Sequence, residues 1–374
     1  MKFIVSSTHL LKQVNALVSI VPTNPVLPIL ENLLFELENG NLKVTANDLH
    51  VAMVVNVTVE SSDFGSVAVP ARIFSDTLKN LPEQPIVITV DTENYTLSIQ
   101  SDYGRYKITC ENPDDYPQLQ EVTETQTSFQ ITSDHLVSAA SYTTFAVSGD
   151  EMKPNMQGVF VHFVNDSITF AATDSHRLVR YRQNNSSANG ITETMLIPEK
   201  ALRQLQKTLP SDSTTVNVNF NQRNAFFEFG KYTLWCRLID EKFPDYEVVM
   251  PKNNDKRMVV DRSAIIGSLK RLSIYTNKTT NQIRLSCKAN QLVIKAEDMD
   301  FSNEADEALP CEYNDEEFTI GFGAKLLLEM LNGLNSERVV FEFSASSRPA
   351  LLMPDENNAD ENVLMLLMPV LISY

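Results

Sequence analysis

Asp174-Ser175-His176 puts an acid, a hydroxyl and an imidazole on three consecutive residues. A nucleophilic relay needs each side chain to point at the next, and such groups come from positions distant in sequence. Three neighbours on an alternating strand or a turn cannot converge, so His176 reads as a packing or cleft residue rather than a general base. The chain lacks GxSxG, a P-loop and GxGxxG. Cys110, Cys236, Cys287 and Cys311 form no CxxC pair and have no histidine at zinc-ligand spacing. They read as buried thiols of a reducing compartment. No catalytic residue, metal or cofactor is expected.

The elements that would position these residues repeat along the chain. Leu42-Lys43-Val44-Thr45-Ala46-Asn47-Asp48, Ile168-Thr169-Phe170-Ala171-Ala172-Thr173-Asp174 and Leu292-Val293-Ile294-Lys295-Ala296-Glu297-Asp298 each read as a strand with one buried face, ending in Ala-x-Asp. Pro70-Ala71-Arg72, Pro198-Glu199-Lys200 and Gly323-Ala324-Lys325 each open a segment of helical apolar spacing. Phe3-Ile4-Val5, Phe129-Gln130-Ile131 and Met258-Val259-Val260 each precede a further helix, with Thr8, Asp134 and Ser263 as candidate N-caps. All three sets recur at a period of about 125 residues, which is domain-sized rather than a solenoid turn. The spacing predicts helices over 8–19, 71–81, 134–145, 199–209, 262–274 and 324–334, and domains over 1–122, 123–250 and 251–374.

The net charge of −17 argues at face value against nucleic acid, whose phosphates would be repelled. Its distribution argues otherwise. The six helical windows hold ten basic and four acidic residues, a local sum of +6 that leaves −23 elsewhere. Two readings of that surplus stand. Lys and Arg are good formers of exposed helix, and a shared face of six helices would gather positive charge. Packed side by side at 8–10 Å, six helices enclose too little room for a duplex. Twelve, from two chains, leave a bore of ~28 Å, which admits DNA. The N-terminus turns polar at Ser6, too early for a signal peptide, and Val363 to Met368 is far short of the ~20 residues that cross a bilayer. A cytoplasmic protein with no membrane partner is expected.

Leu27-Pro28-Ile29-Leu30-Glu31-Asn32-Leu33, Val69-Pro70-Ala71-Arg72, Asp115-Tyr116-Pro117, Ala172-Thr173-Asp174-Ser175-His176-Arg177-Leu178 and Phe243-Pro244-Asp245-Tyr246 together resemble the bacterial DNA polymerase III β subunits, the sliding clamps. The resemblance runs from Met1-Lys2-Phe3 to the Met368-Pro369 tail. It implies an α+β clamp fold of three similar domains, helices lining a central hole, antiparallel sheets outside, and a head-to-tail homodimer forming a ring. By position it implies dimer contacts through Tyr106 and Ile108 on one chain and Ile274 and Tyr275 on the other. It implies DNA contacts through Lys12, Arg72, Lys79, Lys200 and Arg271, and the same helices add Arg203 and Lys207. Asn24 stands where some relatives carry a basic residue.

The resemblance also implies a peptide cleft built from Met156, Thr173, Ser175, His176, Arg177, Leu178, Pro244, Val249, Ser347, Met368, Pro369 and Val370. Apolar, adaptable walls with a few polar anchors suit a short linear motif. The implied partners are double-stranded DNA, the polymerase III catalytic subunit, clamp-loader subunits, other polymerases and mismatch-repair proteins. Ser175 stands where many relatives have glycine, and Leu371-Ile372-Ser373-Tyr374 continues past the usual end. The competing expectation is a three-domain protein-binding scaffold that does not encircle DNA.

Overall fold

The computed structural model describes residues 1–119, 127–184, 186, 188, 190–356 and 360–371. The boundary expected near residue 122 and the terminal Ile372-Ser373-Tyr374 lie outside the described residues. Among the described residues six α-helices form: α1 (Ser7–Val18), α2 (Ala71–Lys79), α3 (Ser133–Thr143), α4 (Glu199–Thr208), α5 (Arg262–Leu272) and α6 (Ala324–Gly333). Each overlaps an expected window, α1 and α3 starting one residue before theirs. In α2 the buried residues are Ala71, Phe74, Ser75 and Leu78, an i, i+3, i+4, i+7 stripe, while Arg72 and Lys79 face outward. The caps differ from expectation. Ser6, not Thr8, accepts from His9 N, and Asp261, not Ser263, accepts from Ala264 N. Both sit at the end of the preceding strand, where extended backbone turns the side chain back onto the first helical turn. Asp134 is the second residue of α3, and its Oδ1 accepts from the adjacent His135 N at 2.9 Å.

Contact density groups the chain into two compact units, residues 1–137 with 200–238, and residues 138–199 with 239–374. The cut runs through α3 and α4 because strands of the central repeat extend the sheets of both neighbours. In the first unit an antiparallel sheet of four strands runs Lys2–Ser6, Pro85–Asp91, Thr96–Gln100, Arg105–Thr109. A second sheet has eight strands, and its seam pairs Val51–Thr58 antiparallel with Tyr232–Arg237, Met53 facing Leu234. Phe35 meets Phe74 edge-on at 5.3 Å, seating α2 on this sheet.

The second unit holds a twelve-stranded sheet. Its seam pairs Arg177–Gln183 with Glu361–Leu367, Leu178 facing Leu366. One face carries an apolar cluster in which Leu178, Leu196, Leu351 and Leu366 lie under Phe243 and Tyr246 of the connecting segment. Phe160 stacks on Phe243 at 4.9 Å.

The repeated Ala-x-Asp strands are Asn41–Asn47, Ser167–Thr173 and Gln291–Asp298. Only the third alternates cleanly between buried and partly exposed residues. Ser167–Thr173 is buried throughout, contrary to the one-faced expectation. The repeat of aspartate has a local cause. Asp48 Oδ1 accepts from His50 N and Val51 N, Asp174 Oδ1 from His176 N and Arg177 N, and Asp298 Oδ1 from Asp300 N. Each side chain mimics a backbone turn and ends its strand.

Candidate functional site

The Thr173–Leu178 turn shows why an acid-hydroxyl-imidazole run occurs without catalysis. Asp174 spends Oδ1 on the two backbone N–H groups at 2.9 Å each, while Thr173 Oγ1 donates to Arg177 O at 2.6 Å and accepts from Ser175 N at 3.2 Å. This curl drives Ser175 to φ +80°, the left-handed region that favours glycine. Ser175 and His176 are thereby thrown out into solvent, away from each other's reach. Lys153 Nζ donates to Ser175 Oγ at 3.1 Å, and that hydroxyl donates to Met156 Sδ at 3.3 Å. The Ser175 hydroxyl thus forms a polar bridge between Lys153 and Met156 at this turn.

Arg177 is buried, only 7% exposed, so it is not a free cation waiting for a ligand. Its Nε donates to Asp174 Oδ2 at 3.0 Å, Nη1 to Glu329 Oε2 at 2.6 Å and Nη2 to Phe145 O at 2.6 Å. The guanidinium also lies 5.3 Å from the Phe145 ring centroid. Sequence reading assigned Arg177 to the cleft but not its partners, because Phe145 and Glu329 are remote in the chain. On α6, a Cβ at Gly333 would come within 2.5 Å of the Phe145 ring. Glycine there lets the ring approach the helix and lie against Arg177.

Of the remaining expected cleft residues, Leu178 and Thr173 are buried and form floor rather than wall. Pro244 and Met156 are half-buried, and Val249, Ser347 and Met368 are exposed. The tail is held from two sides: Met368 N donates to His176 O at 2.9 Å, and Val370 N to Gly321 O at 2.9 Å. Pro369 sits between these two anchors. Ser347 lies on the turn before Ala350, whose strand partner Leu367 precedes Met368. The fold thus brings the turn, the tail and the 347 loop to one end of the sheet.

The expected DNA-facing cations divide by partner. Lys12, Arg72 and Lys207 are exposed and have no carboxylate within ion-pairing distance among the described residues, Arg72 being held by Thr23 Oγ1. Lys79 pairs with Asp76 at 3.3 Å in solvent, and Arg203 is exposed on α4. Lys200 pairs with Asp48 and donates to Ile20 O at 3.2 Å. Arg271 forms a two-pronged pair with Glu307 at 2.7 and 2.6 Å, which holds the guanidinium above its ordinary pKa and the carboxyl below its own. Asn24, in a left-handed turn, donates its backbone N–H to Glu31.

Family profiles match three consecutive stretches: the N-terminal domain of the DNA polymerase III beta subunit over residues 1–120, its central domain over 130–245 and its C-terminal domain over 247–370. The chain belongs to the bacterial β sliding clamp family. It is 28% identical to the beta sliding clamp of Synechococcus elongatus, covering 95% of this chain and 96% of that one. It is 28% identical to that of Escherichia coli, covering 99% and 100%. The crystal structure of the Pseudomonas aeruginosa sliding clamp superposes with a TM-score of 0.93 at 28% identity over the full length of both chains. The chain accordingly has the three-domain clamp fold of antiparallel sheets and a few helices, and it is a DNA sliding clamp, the non-catalytic processivity subunit of polymerase III. Encircling DNA and tethering partners are typical of the family.

Among the partly unpaired strands of the described residues, two carry opposite charge. In the first unit Arg105–Thr109 ends the four-stranded sheet, with Arg105, Tyr106 and Lys107 exposed and Tyr103 protruding just before it. Ile108 shares a face with Tyr106 and, opposite the buried Leu97, is only 4% exposed, whereas Tyr106 is 37% exposed. In the second unit Asn303–Glu312 lies within the twelve-stranded sheet, pairing over Asn303–Pro310 on one side and only at Cys311 and Glu312 on the other, so most of that second side is unpaired. Glu304, Asp306 and Glu307 lie on that strand, with Ile274, Tyr275 and Phe301 exposed nearby in the same unit. Sequence reading missed Phe301 and Tyr103, whose turns carried no repeat signal.

Three of the four thiols are buried as expected, whereas Cys311 is half-buried. Burial pushes Cys110 up to about 11 and Cys236 and Cys287 up to about 12, so all three stay protonated and unreactive near neutrality. No helix among the described residues is long and apolar enough to cross a membrane.

Proposed function

We propose that two copies of this chain close head to tail into a ring around duplex DNA, each contributing domains at 1–122, 123–250 and 251–374. The observation that carries this reading is the complementarity of the open edges. One edge is basic and aromatic, at Arg105, Tyr106 and Lys107, and the other is acidic, at Glu304, Asp306 and Glu307, flanked by Ile274 and Tyr275. Joining them would satisfy unpaired backbone groups that otherwise invite aggregation and would set opposite charges face to face. Lys12, Arg72, Lys79, Lys200, Arg203, Lys207 and Arg271 then contact phosphates from the helices lining the hole. These contacts are few and partly neutralised, so the ring slides. Closure, rather than affinity, retains it, and the acidic total does not oppose function.

The cleft formed by the Ser175-His176 turn, Pro244, Val249 and the Met368-Pro369 tail receives short linear segments of the replicative polymerase, clamp-loader subunits, other polymerases and mismatch-repair proteins in the cytoplasm. Retention on DNA is the decisive test. The protein should stay on closed circular duplex and run off the same DNA once linearised, and it should sediment as a dimer at micromolar concentration. Equal retention on both forms, or a strict monomer, would instead support a scaffold that does not encircle DNA. Deleting Met368 to Tyr374 should abolish peptide binding and spare the dimer.

A further inference from the structure

Strand Arg177–Gln183 carries three arginines, and they are treated differently. Arg177 is buried between two carboxylates. Arg180 and Arg182 share the face of Leu178, since alternate residues of a strand point the same way. Arg180 Nη2 donates to Asn362 Oδ1 at 3.0 Å, and Arg182 Nε donates to Thr169 Oγ1 at 3.2 Å. These are neutral partners. Among the described residues neither guanidinium has a carboxylate within ion-pairing distance, in a chain with 48 acidic and 31 basic residues. Arg180 Nε is buried and unbonded.

The neighbourhood adds no compensating anion at close range. His162 Nε2 lies 2.8 Å from Tyr246 Oη, and burial followed by the nearby Arg182 holds this imidazole below the ordinary histidine value, so it is neutral at pH 7. Glu247 attracts both Arg180 and His162, and among the described residues it forms no ion pair with either. Two like charges kept half-buried on one face repel each other, and burial and Arg182 both act against the charge on Arg180. A bound carboxylate would relieve that cost, and a planar guanidinium is the side chain best shaped to grip one.

We infer that Arg180 and Arg182 form an acid-recognising extension of the peptide cleft, taking Asp or Glu side chains that flank the apolar anchors of a partner segment. The inference rests on the cleft reading above. Along the strand, Arg180 stands ~7 Å and Arg182 ~14 Å from the Leu178 floor. An extended peptide running alongside this strand therefore presents acidic residues at alternate positions to these guanidiniums. Thr169 and Asn362 fix each arginine at one nitrogen and leave other N–H groups for the ligand.

The test uses two fluorescent decapeptides with the same Leu-Phe anchor pair, one flanked by Asp and Glu and the other by Asn and Gln. Binding to the full-length protein is read by anisotropy at low and high salt. The wild type should prefer the acidic flank about fivefold at low salt, the size expected of two half-exposed charge pairs, and lose that preference as salt rises. The double variant Arg180→Gln, Arg182→Gln should bind both peptides equally, at the affinity wild type shows for the neutral one. The Lys pair at the same positions should keep part of the preference. No preference in wild type, or an undiminished one in the Gln variant, overturns the inference while leaving the cleft intact. Loss of both peptides by the Gln variant also overturns it, because the arginines would then hold the cleft itself. If neither peptide binds wild type, the cleft reading fails and this inference falls with it.

Discussion

The turns after Asp48 and Asp174 occupy equivalent places in successive repeats, yet they have been put to different uses. Both aspartates cap a strand with Oδ1, and both force the next residue left-handed, Leu49 at φ +75° and Ser175 at φ +80°. They part at the second carboxylate oxygen. Asp48 Oδ2 meets Lys200, whose side chain is 47% exposed, at the start of α4. Asp174 Oδ2 meets Arg177, which is sealed off and reaches on to Glu329 and Phe145. The first turn is a brace between a strand and a helix. The second is a brace with an exposed edge, Ser175 and His176, which the proposed cleft would use. A repeated motif supplies the turn, and the partner of one oxygen decides whether its brace is exposed or buried.

Breaking the partners should separate the two turns most sharply. Arg177→Ala leaves Asp174 and the Phe145 carbonyl without their donor and should cost about 3 kcal/mol in denaturant unfolding, with loss of peptide binding. Lys200→Ala removes a half-exposed pair and should cost at most about 1 kcal/mol, with peptide affinity unchanged. Equal losses would erase the distinction. Next in size, Gly333→Ala pushes on the Phe145 ring and should cost about 1–3 kcal/mol. It should also weaken peptide binding, although residue 333 belongs to α6 rather than to the turn. Smallest are the left-handed residues themselves. Ser175→Gly should gain about 0.5–1 kcal/mol by relieving strain and should change peptide affinity, because the bridge to Lys153 and Met156 is lost. Leu49→Gly should give a smaller gain and leave peptide affinity alone. An unchanged affinity in the first would remove Ser175 from the cleft edge.

Much of this was legible beforehand. The helix windows fell within a few residues of α1 to α6, because apolar spacing and a preceding strand are local signals. The caps were misplaced by two residues at Thr8 and Ser263, since the true caps, Ser6 and Asp261, belong to strand ends that a helical pattern does not reveal. Ser167–Thr173 read as one-faced but is covered on both sides, and coverage depends on neighbours rather than on the strand. Lys200 and Arg271 were expected at DNA by resemblance, and their pairing with Asp48 and Glu307 was not visible in the sequence. Ile108, expected at the dimer contact by resemblance, is only 4% exposed within its own chain, which alternation alone does not reveal.

Repetition, helical and strand periodicity, and the motifs of the clamp family are carried by residues close in sequence, and on these the chain alone determined the architecture and the function. The pairing of charges was decided only in three dimensions. Asp174, Arg177, Phe145 and Glu329 span much of the second unit, and their convergence depends on strands and helices packing within hydrogen-bond range. Among the described residues the same packing left Arg180 and Arg182 without a carboxylate in ion-pairing range, so identical side chains on one strand became a buried brace and a candidate binding surface. Ion pairing falls off over a few ångströms, and a sequence does not record such distances.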